Sequence, residues 1–363
     1  MKDMLQGTSL IPVRYKNGTQ LYQLDAPHLS NKYYVASNPS STKLMMYPEV
    51  VGYDTYECTL APTITALEYF KENNLTTKAN ILTILRGGLN YPLEEGCHKC
   101  GIQVDNMSFL SCERVISPER VITGLDIRYK KNHIDANATL LVGDIIATGD
   151  TLVKCINYIF DEYHQAGVQL RRMIFFTVGG TRAIDVLESL TARAHELWPS
   201  FQGCHCVFYE GIFSVYADHG VTGVNVPNID FYWRDGVVAP EFRKAVIGNG
   251  NAIYEKCIIY DGGARRYEIP DHYEEVVEYW ESLQRVADEV DVKKFTEEKL
   301  GYSQGITLES WIVQNHYQKL KKVELKRQFE AEAAFLAQSE ALNLKQLCEL
   351  RLQQIRQALG KYV

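Results

Sequence analysis

The side chains best suited to chemistry lie in one stretch, Thr139 to Leu152, which reads T-L-L-V-G-D-I-I-A-T-G-D-T-L. Ala147, Thr148, Gly149, Asp150 and Thr151 form a small polar loop ahead of residues with helical apolar spacing, Leu152, Val153, Ile156, Ile159 and Phe160. A helix opening at Thr151 turns its unpaired N–H groups and the positive end of its dipole toward the loop, which suits an anion. Gly149 allows close approach of the backbone, and the Thr148 and Thr151 hydroxyls can donate to phosphate oxygens. Asp144 lies just past the apolar run Leu140-Leu141-Val142, where its carboxylate can accept from sugar hydroxyls. A second candidate is Arg86-Gly87-Gly88, where a guanidinium fork and two small residues again fit phosphate oxygens. That turn also reads as a plain strand end with a structural arginine.

These residues need strands to hold them at one edge. Ile81 to Leu85, Leu140 to Val142, Met173 to Val178 and Cys204 to Phe208 are apolar runs of buried-strand type. Helical patterns alternate with them from Thr59 to about Asn73, after Thr151, and from Ala183 to Trp198. Alternation of this kind predicts a parallel sheet with right-handed crossovers. Residues 1–50 are expected to form an arm, with Asn17-Gly18 as a hairpin turn between two short strands. Residues 271–363 are charged, helical in pattern and poor in glycine, with one or two long helices after Leu320 broken near Ser339 or Asn343. The bland reading of this region is a helical cap on the main domain or on a second subunit.

The segment around Asp144 resembles the phosphoribosyl-pyrophosphate (PRPP) motif of type I phosphoribosyltransferases: an apolar strand, an acidic pair, then small-Thr-Gly-x-Thr. Gly143 stands where the family usually has the first acid, so Asp144 is the one carboxylate left. I-L-R-G-G-L resembles the pyrophosphate loop of uracil-type members. The resemblance implies a type I phosphoribosyltransferase-like α/β domain over 51–268, an arm over 1–50 and an all-helical C-terminal region over 269–363. It implies transfer of ribose 5-phosphate from PRPP to a nitrogen acceptor, a nucleobase or related molecule, with Mg²⁺ as cofactor. Asp144 and Arg86 would act in catalysis, Asp144 also through the metal's shell. Gly143, Ala147, Thr148, Gly149, Asp150 and Thr151 would hold the 5-phosphate side, and Gly87 and Gly88 the pyrophosphate. Asp150 is expected to turn its carboxylate away from the phosphate. Asp126 to Asp135 would be the mobile loop over the site, with Arg128, Tyr129, Lys130 and Lys131 closing on substrate; otherwise this is a solvated basic face. The V-G-G-T-R loop after Val178 would line the acceptor. Gly211 to Asp235 would be the hood, where Phe213, Tyr216, Phe231, Tyr232 and Trp233 either stack on a ring or pack in the core, and Asp218, His219 and Asp230 are candidate polar contacts.

Composition narrows the classes further. A net charge of −7 argues against nucleic acid as the main partner. No apolar window is long enough for a membrane helix. Nine scattered cysteines without an export-type N-terminus read as reduced thiols, so a cytoplasmic protein is expected. Cys97-His98-Lys99-Cys100 is a CxxC, but a structural zinc needs four ligands, and Cys204-His205-Cys206 would have to be folded beside it. Family members commonly pair, so a homodimer is an open expectation. A catalytically silent sensor of phosphosugar or nucleotide, and an interaction protein working through its helical region, remain alternatives to the enzyme.

Overall fold

A computed structural model describes residues 4–116, 122–216, 220–224, 230–256 and 262–363. The chain begins with β1 (Ser9–Lys16), β2 (Thr19–Asp25) and β3 (Lys32–Ser37). Asn17 and Gly18 both have positive φ, 50° and 74°, as a two-residue turn matched to strand twist requires. Then come α1 (Pro39–Met46), α2 (Tyr53–Glu72), β4 (Lys78–Leu85) and a 3₁₀ turn over Gly87–Asn90. After α3 (Leu93–Cys100), β5 (Gln103–Ile116) and β6 (Ile122–Lys131) form a long antiparallel pair. The central units are β7 (Ala138–Gly143), α4 (Asp150–Gln165), β8 (Leu170–Gly180), α5 (Arg182–Leu197) and β9 (Cys204–Tyr216). β10 (Asp230–Val238) returns along β9, and α6 (Pro240–Gly248) follows.

The strands make one sheet in the order β1-β2-β3-β9-β8-β7-β4-β5-β6, with β10 also on β9. Pairings from β3 through β9, β8, β7 and β4 to β5 are all parallel, so these strands share one carboxyl edge. Every residue of β7 is buried, as a strand covered on both faces must be. The fold is therefore α/β with a largely parallel sheet flanked by helices. The three strands of residues 9–37 are members of this sheet, because β3 runs beside β9.

The C-terminal helices are α7 (Gly262–Tyr267), α8 (Ile269–Val286), α9 (Val292–Leu300), α10 (Leu308–Gln314), α11 (Lys322–Gln338) and α12 (Leu344–Leu359). The last two are separated by a 3₁₀ turn at Ser339–Ala341. They pack onto the α/β part through buried polar anchors. Arg243 of α6 and Glu332 of α11 form an ion pair at 2.6 Å with both side chains fully buried. Tyr302 Oη and Trp311 Nε1 donate to the same carboxylate, and Trp233 lies 4.5 Å from the guanidinium. Arg351 of α12 reaches Glu49 at 2.8 Å and also pairs with Glu255.

Candidate functional site

β7 delivers Asp144 to the carboxyl edge. Asp144 N–H donates to Phe176 O at 3.2 Å, and Ile146 N–H donates to Val178 O at 3.2 Å, so the turn is bracketed by β8. Gly180 N–H returns a bond to Ile146 O at 3.0 Å. The chain then bends through Gly149, at φ +81°, where a Cβ would meet Val186 of α5 at 2.8 Å. Only glycine fits both the backbone and the packing there. α4 starts at the next residue, and its first N–H groups have no intrahelical acceptor. Thr148 and Asp150 are exposed, Thr151 is partly buried, and Ala147 is buried. The phosphate-type loop thus faces outward, with the Asp150 carboxylate in solvent.

The Arg86 turn comes to the same place. β4 lies next to β7, with Thr83 opposite Gly143. The turn is so close that a Cβ on Gly87 would come within 2.7 Å of Asp144 Oδ1, and one on Gly88 within 3.2 Å of Gly143 O. The Leu85–Arg86 peptide is cis. Among the described residues Asp144 accepts a bond from Ile145 N–H at 2.9 Å. Burial pushes its carboxyl up to about 7, against the smaller opposing effect of that bond.

Two features could not be read from the motif. The first is Tyr91, at the end of the same turn. A Cβ on Gly143 would lie 2.5 Å from Tyr91 Cβ and 2.6 Å from its Cγ. The volume a side chain at 143 would need is therefore filled by an aromatic ring. Tyr91 is 7% exposed, and its hydroxyl accepts from Val178 N–H at 3.1 Å. It also lines a small cavity of about 30 Å³ with Thr55, Thr59, Ile145, Val178 and Arg265. The second is Glu268, between α7 and α8. Its carboxylate takes Arg86 Nη1 at 2.5 Å and Nη2 at 3.0 Å, a two-pronged pairing. The guanidinium holds the Glu268 carboxyl below its ordinary range. Arg266, two residues before it, donates to Leu89 O, and Arg265 donates to Val50 O and Tyr47 O. The helical region is tied directly to the Arg86 turn.

The basic segment Arg128–Lys131 is brought elsewhere. Arg128 pairs with Glu113 at 3.4 Å and lies 3.9 Å from Asp126, all on the β5–β6 hairpin. Lys130 sits 5.1 Å from the Tyr158 ring, two turns along α4 from its head. Tyr129 and Lys131 are exposed, level with Ser111 and Phe109 of β5. Among the described residues, none of these ion pairs and ring contacts reaches Asp144 or Arg86. The hood aromatics Phe213, Tyr232 and Trp233 are buried, and Phe213 and Trp233 pack on Phe242, so they are core residues. Asp218 and His219 lie outside the described residues, as do the side chains of Tyr216, Asp230 and Phe231. Cys97 and Cys100 are both buried in α3, with their thiols pushed up to about 12 and about 11, chiefly by burial.

A protein-held divalent cation does not fit this donor set. Mg²⁺ wants six oxygens at near-octahedral geometry. Asp144 is one partly buried carboxylate with a raised pKa, and its neighbour at 143 offers no side chain. Among the described residues no group of three or more His, Cys, Asp or Glu could hold a metal ion, zinc included. Nor does any described helix have the length and apolarity to cross a membrane.

No family model matches the chain, and no curated protein matches it. Solved structures do match at a distance. The AQ2163 protein from Aquifex aeolicus is 12% identical, covering 47% of this chain and 81% of that one, with TM-score 0.34. A hypoxanthine phosphoribosyltransferase from Staphylococcus aureus is 14% identical over 36% of this chain and 67% of its own, with TM-score 0.26. A purine phosphoribosyltransferase from Pyrococcus horikoshii is 14% identical over 41% and 81%, also with TM-score 0.26. These are distant, partial similarities, two of them to phosphoribosyltransferases over 36% and 41% of this chain, and the uracil-type likeness of the Arg86 segment is one of sequence alone.

Proposed function

We propose that this protein binds PRPP at the head of α4 and transfers its ribose 5-phosphate group to a nitrogen acceptor. One observation supports the reading above the rest: the Arg86-Gly87-Gly88 turn is packed against Asp144, directly before the outward-facing loop Ala147–Thr151. The two candidate anion-binding segments singled out in the sequence are therefore neighbours at one edge of the sheet. In this scheme the α4 N–H groups and the Thr148 and Thr151 hydroxyls take the 5-phosphate. Asp144 accepts from the ribose hydroxyls. Arg86 and the Gly87-Gly88 backbone take the diphosphate and stabilise it as it leaves. The C1–O bond to pyrophosphate breaks, the C1–N bond forms, and the nitrogen's proton is lost to solvent or to a group the acceptor brings. The acceptor itself is unassigned. Arg128, Tyr129, Lys130 and Lys131 have a part only if the hairpin swings over the site.

A second reading is favoured by Tyr91 and Glu268. A site with one carboxylate, and with its arginine already engaged, suits a sensor that binds phosphosugar or nucleotide without turnover. One experiment separates the two. PRPP is added with Mg²⁺ and a panel of nucleobases and simple amines, while melting temperature and pyrophosphate release are followed. Stabilisation with pyrophosphate release supports the transferase. Stabilisation without it supports the sensor. No stabilisation at millimolar PRPP, or an equal shift in Asp144→Asn and Thr148→Val/Thr151→Val variants, refutes both.

A further inference from the structure

The pairing of Tyr91 with Gly143 decides which ligands this site accepts, an inference that rests on the phosphosugar reading above. We propose that Tyr91 is a specificity-determining residue: its ring fills the volume a carboxylate at position 143 would need, so the site reads a ribose 5-phosphate ester through Asp144 alone, with no divalent cation held by the protein.

Three observations carry this. The ring is in contact with Gly143 itself, since even a methyl group there would lie 2.5 Å from Tyr91 Cβ and 3.0 Å from its Cδ2. Both atoms belong to a rigid part of the side chain, so no rotation of a flexible end relieves the clash. The ring is also fixed in place from several directions. Tyr91 N–H donates to Gly88 O at 3.4 Å, Tyr91 O accepts from Leu93 N–H at 2.9 Å, and its hydroxyl is held by Val178 N–H. Tyr209 of β9 stands 5.9 Å from the ring centroid. Swinging Tyr91 out would strand the buried Val178 N–H without its acceptor and lose packing as well. Finally, among the described residues no other carboxylate replaces the missing one. Asp150 is exposed at the helix head, and Glu268 is engaged by Arg86.

The ligand chemistry follows. With one carboxylate, the ribose face offers hydrogen-bond acceptance and no chelate. A cation reaches this site only on the oxygens of a diphosphate that the ligand brings. Phosphomonoesters of ribose, which bring none, should therefore bind without a cation.

The test uses the full chain and ribose 5-phosphate, with calorimetry in Mg²⁺ or in EDTA, and Mn²⁺ titration read by electron paramagnetic resonance. The inference expects equal affinity for ribose 5-phosphate within about twofold in the two buffers, and no Mn²⁺ bound at Asp144. It expects Gly143→Asp alone to destabilise or unfold the chain. It expects Tyr91→Gly/Gly143→Asp, which removes the ring and the Cβ that lies 2.5 Å from a Cβ at 143, to gain Mn²⁺ binding that Tyr91→Gly lacks. An affinity more than tenfold higher with Mg²⁺, or wild-type Mn²⁺ binding that Asp144→Asn abolishes, overturns it while leaving the phosphosugar site intact. No ribose 5-phosphate binding in either buffer overturns the site reading and this inference together. The wild-type measurements decide the matter even where a variant fails to fold.

Discussion

Glu268→Gln tests whether the helical region governs the Arg86 turn. In the structure both guanidinium nitrogens of Arg86 point at the Glu268 carboxylate, at 2.5 and 3.0 Å. A diphosphate that uses Arg86 must displace that carboxylate or share the fork with it. The side chains are 56% and 40% exposed, so solvent screens the pair and its strength is that of a surface bridge. Removing the competing charge should therefore tighten PRPP binding by roughly two- to fivefold, the equilibrium range of exposed pairs. Glutamine keeps the size and one hydrogen-bond acceptor, so the α7–α8 junction should stay in place through Arg265 and Arg266. Calorimetric titration of PRPP into wild type and variant provides the measurement. The gain should shrink as ionic strength rises, because the competing bridge is itself screened. Ribose 5-phosphate, which has no diphosphate, should bind the two proteins equally. Weaker PRPP binding in Glu268→Gln, or an equal gain for ribose 5-phosphate, would refute the reasoning, since either result separates Arg86 from the diphosphate.

Glu332→Gln should cost about 3–5 kcal/mol in urea unfolding, because it leaves the fully buried Arg243 without its counter-charge. Gly149→Ala should destabilise by about 1–3 kcal/mol and lose ribose 5-phosphate binding, since φ is +81° and Val186 Cγ2 blocks the new methyl at 2.8 Å. His272, whose Nε2 pairs with Pro48 O at 2.7 Å, is lowered to about 3, first by burial and then by Arg265. A base with a depressed folded pKa contributes stability that is present above its unfolded value, about 6.5, and lost as pH falls toward 3. The stability difference between wild type and His272→Gln should therefore be flat above pH 7 and move against wild type on acidification, by at most about 1.4 kcal/mol per pH unit. A pH-independent difference would show that His272 is not held neutral.

The parts of the fold legible in the sequence are those whose cause is local. The runs at Ile81–Leu85, Leu140–Val142 and Met173–Val178 are apolar throughout because both sheet faces are covered, and they alternate with helical spacing. The loop before α4 shows itself because a positive-φ glycine and small residues are required where a strand turns into a helix. What the sequence hides are pairings set by the finished sheet. Val-Arg-Tyr-Lys and Leu-Tyr-Gln-Leu read as an arm because nothing local reveals that β3 lies against β9, some 170 residues later. The aromatics of Gly211–Asp235 are ambiguous for the same reason: period and type fit a ring-stacking hood as well as a core, and the partner Phe242 comes from the helix after it. Arg128, Lys130 and Lys131 carry the charge a diphosphate needs, yet their carboxylate and aromatic partners lie on their own hairpin and on α4.

Gly143 illustrates how such a gap works at the site itself. Read along the chain, it is a motif with one acid missing, and absence alone suggests a weakened copy of a metal-assisted site. Read across the sheet edge, it is the complement of Tyr91, five residues after Arg86 and held by a hydrogen bond from β8. A side chain at 143 and a ring at 91 exclude each other, so restoring the acid by itself cannot restore the pair of carboxylates. The glycine and the tyrosine therefore have to be treated as one unit. On the proposed phosphosugar reading, the Asp144 carboxylate is then the one sugar-facing charge among the described residues, and a divalent ion would arrive as part of the ligand.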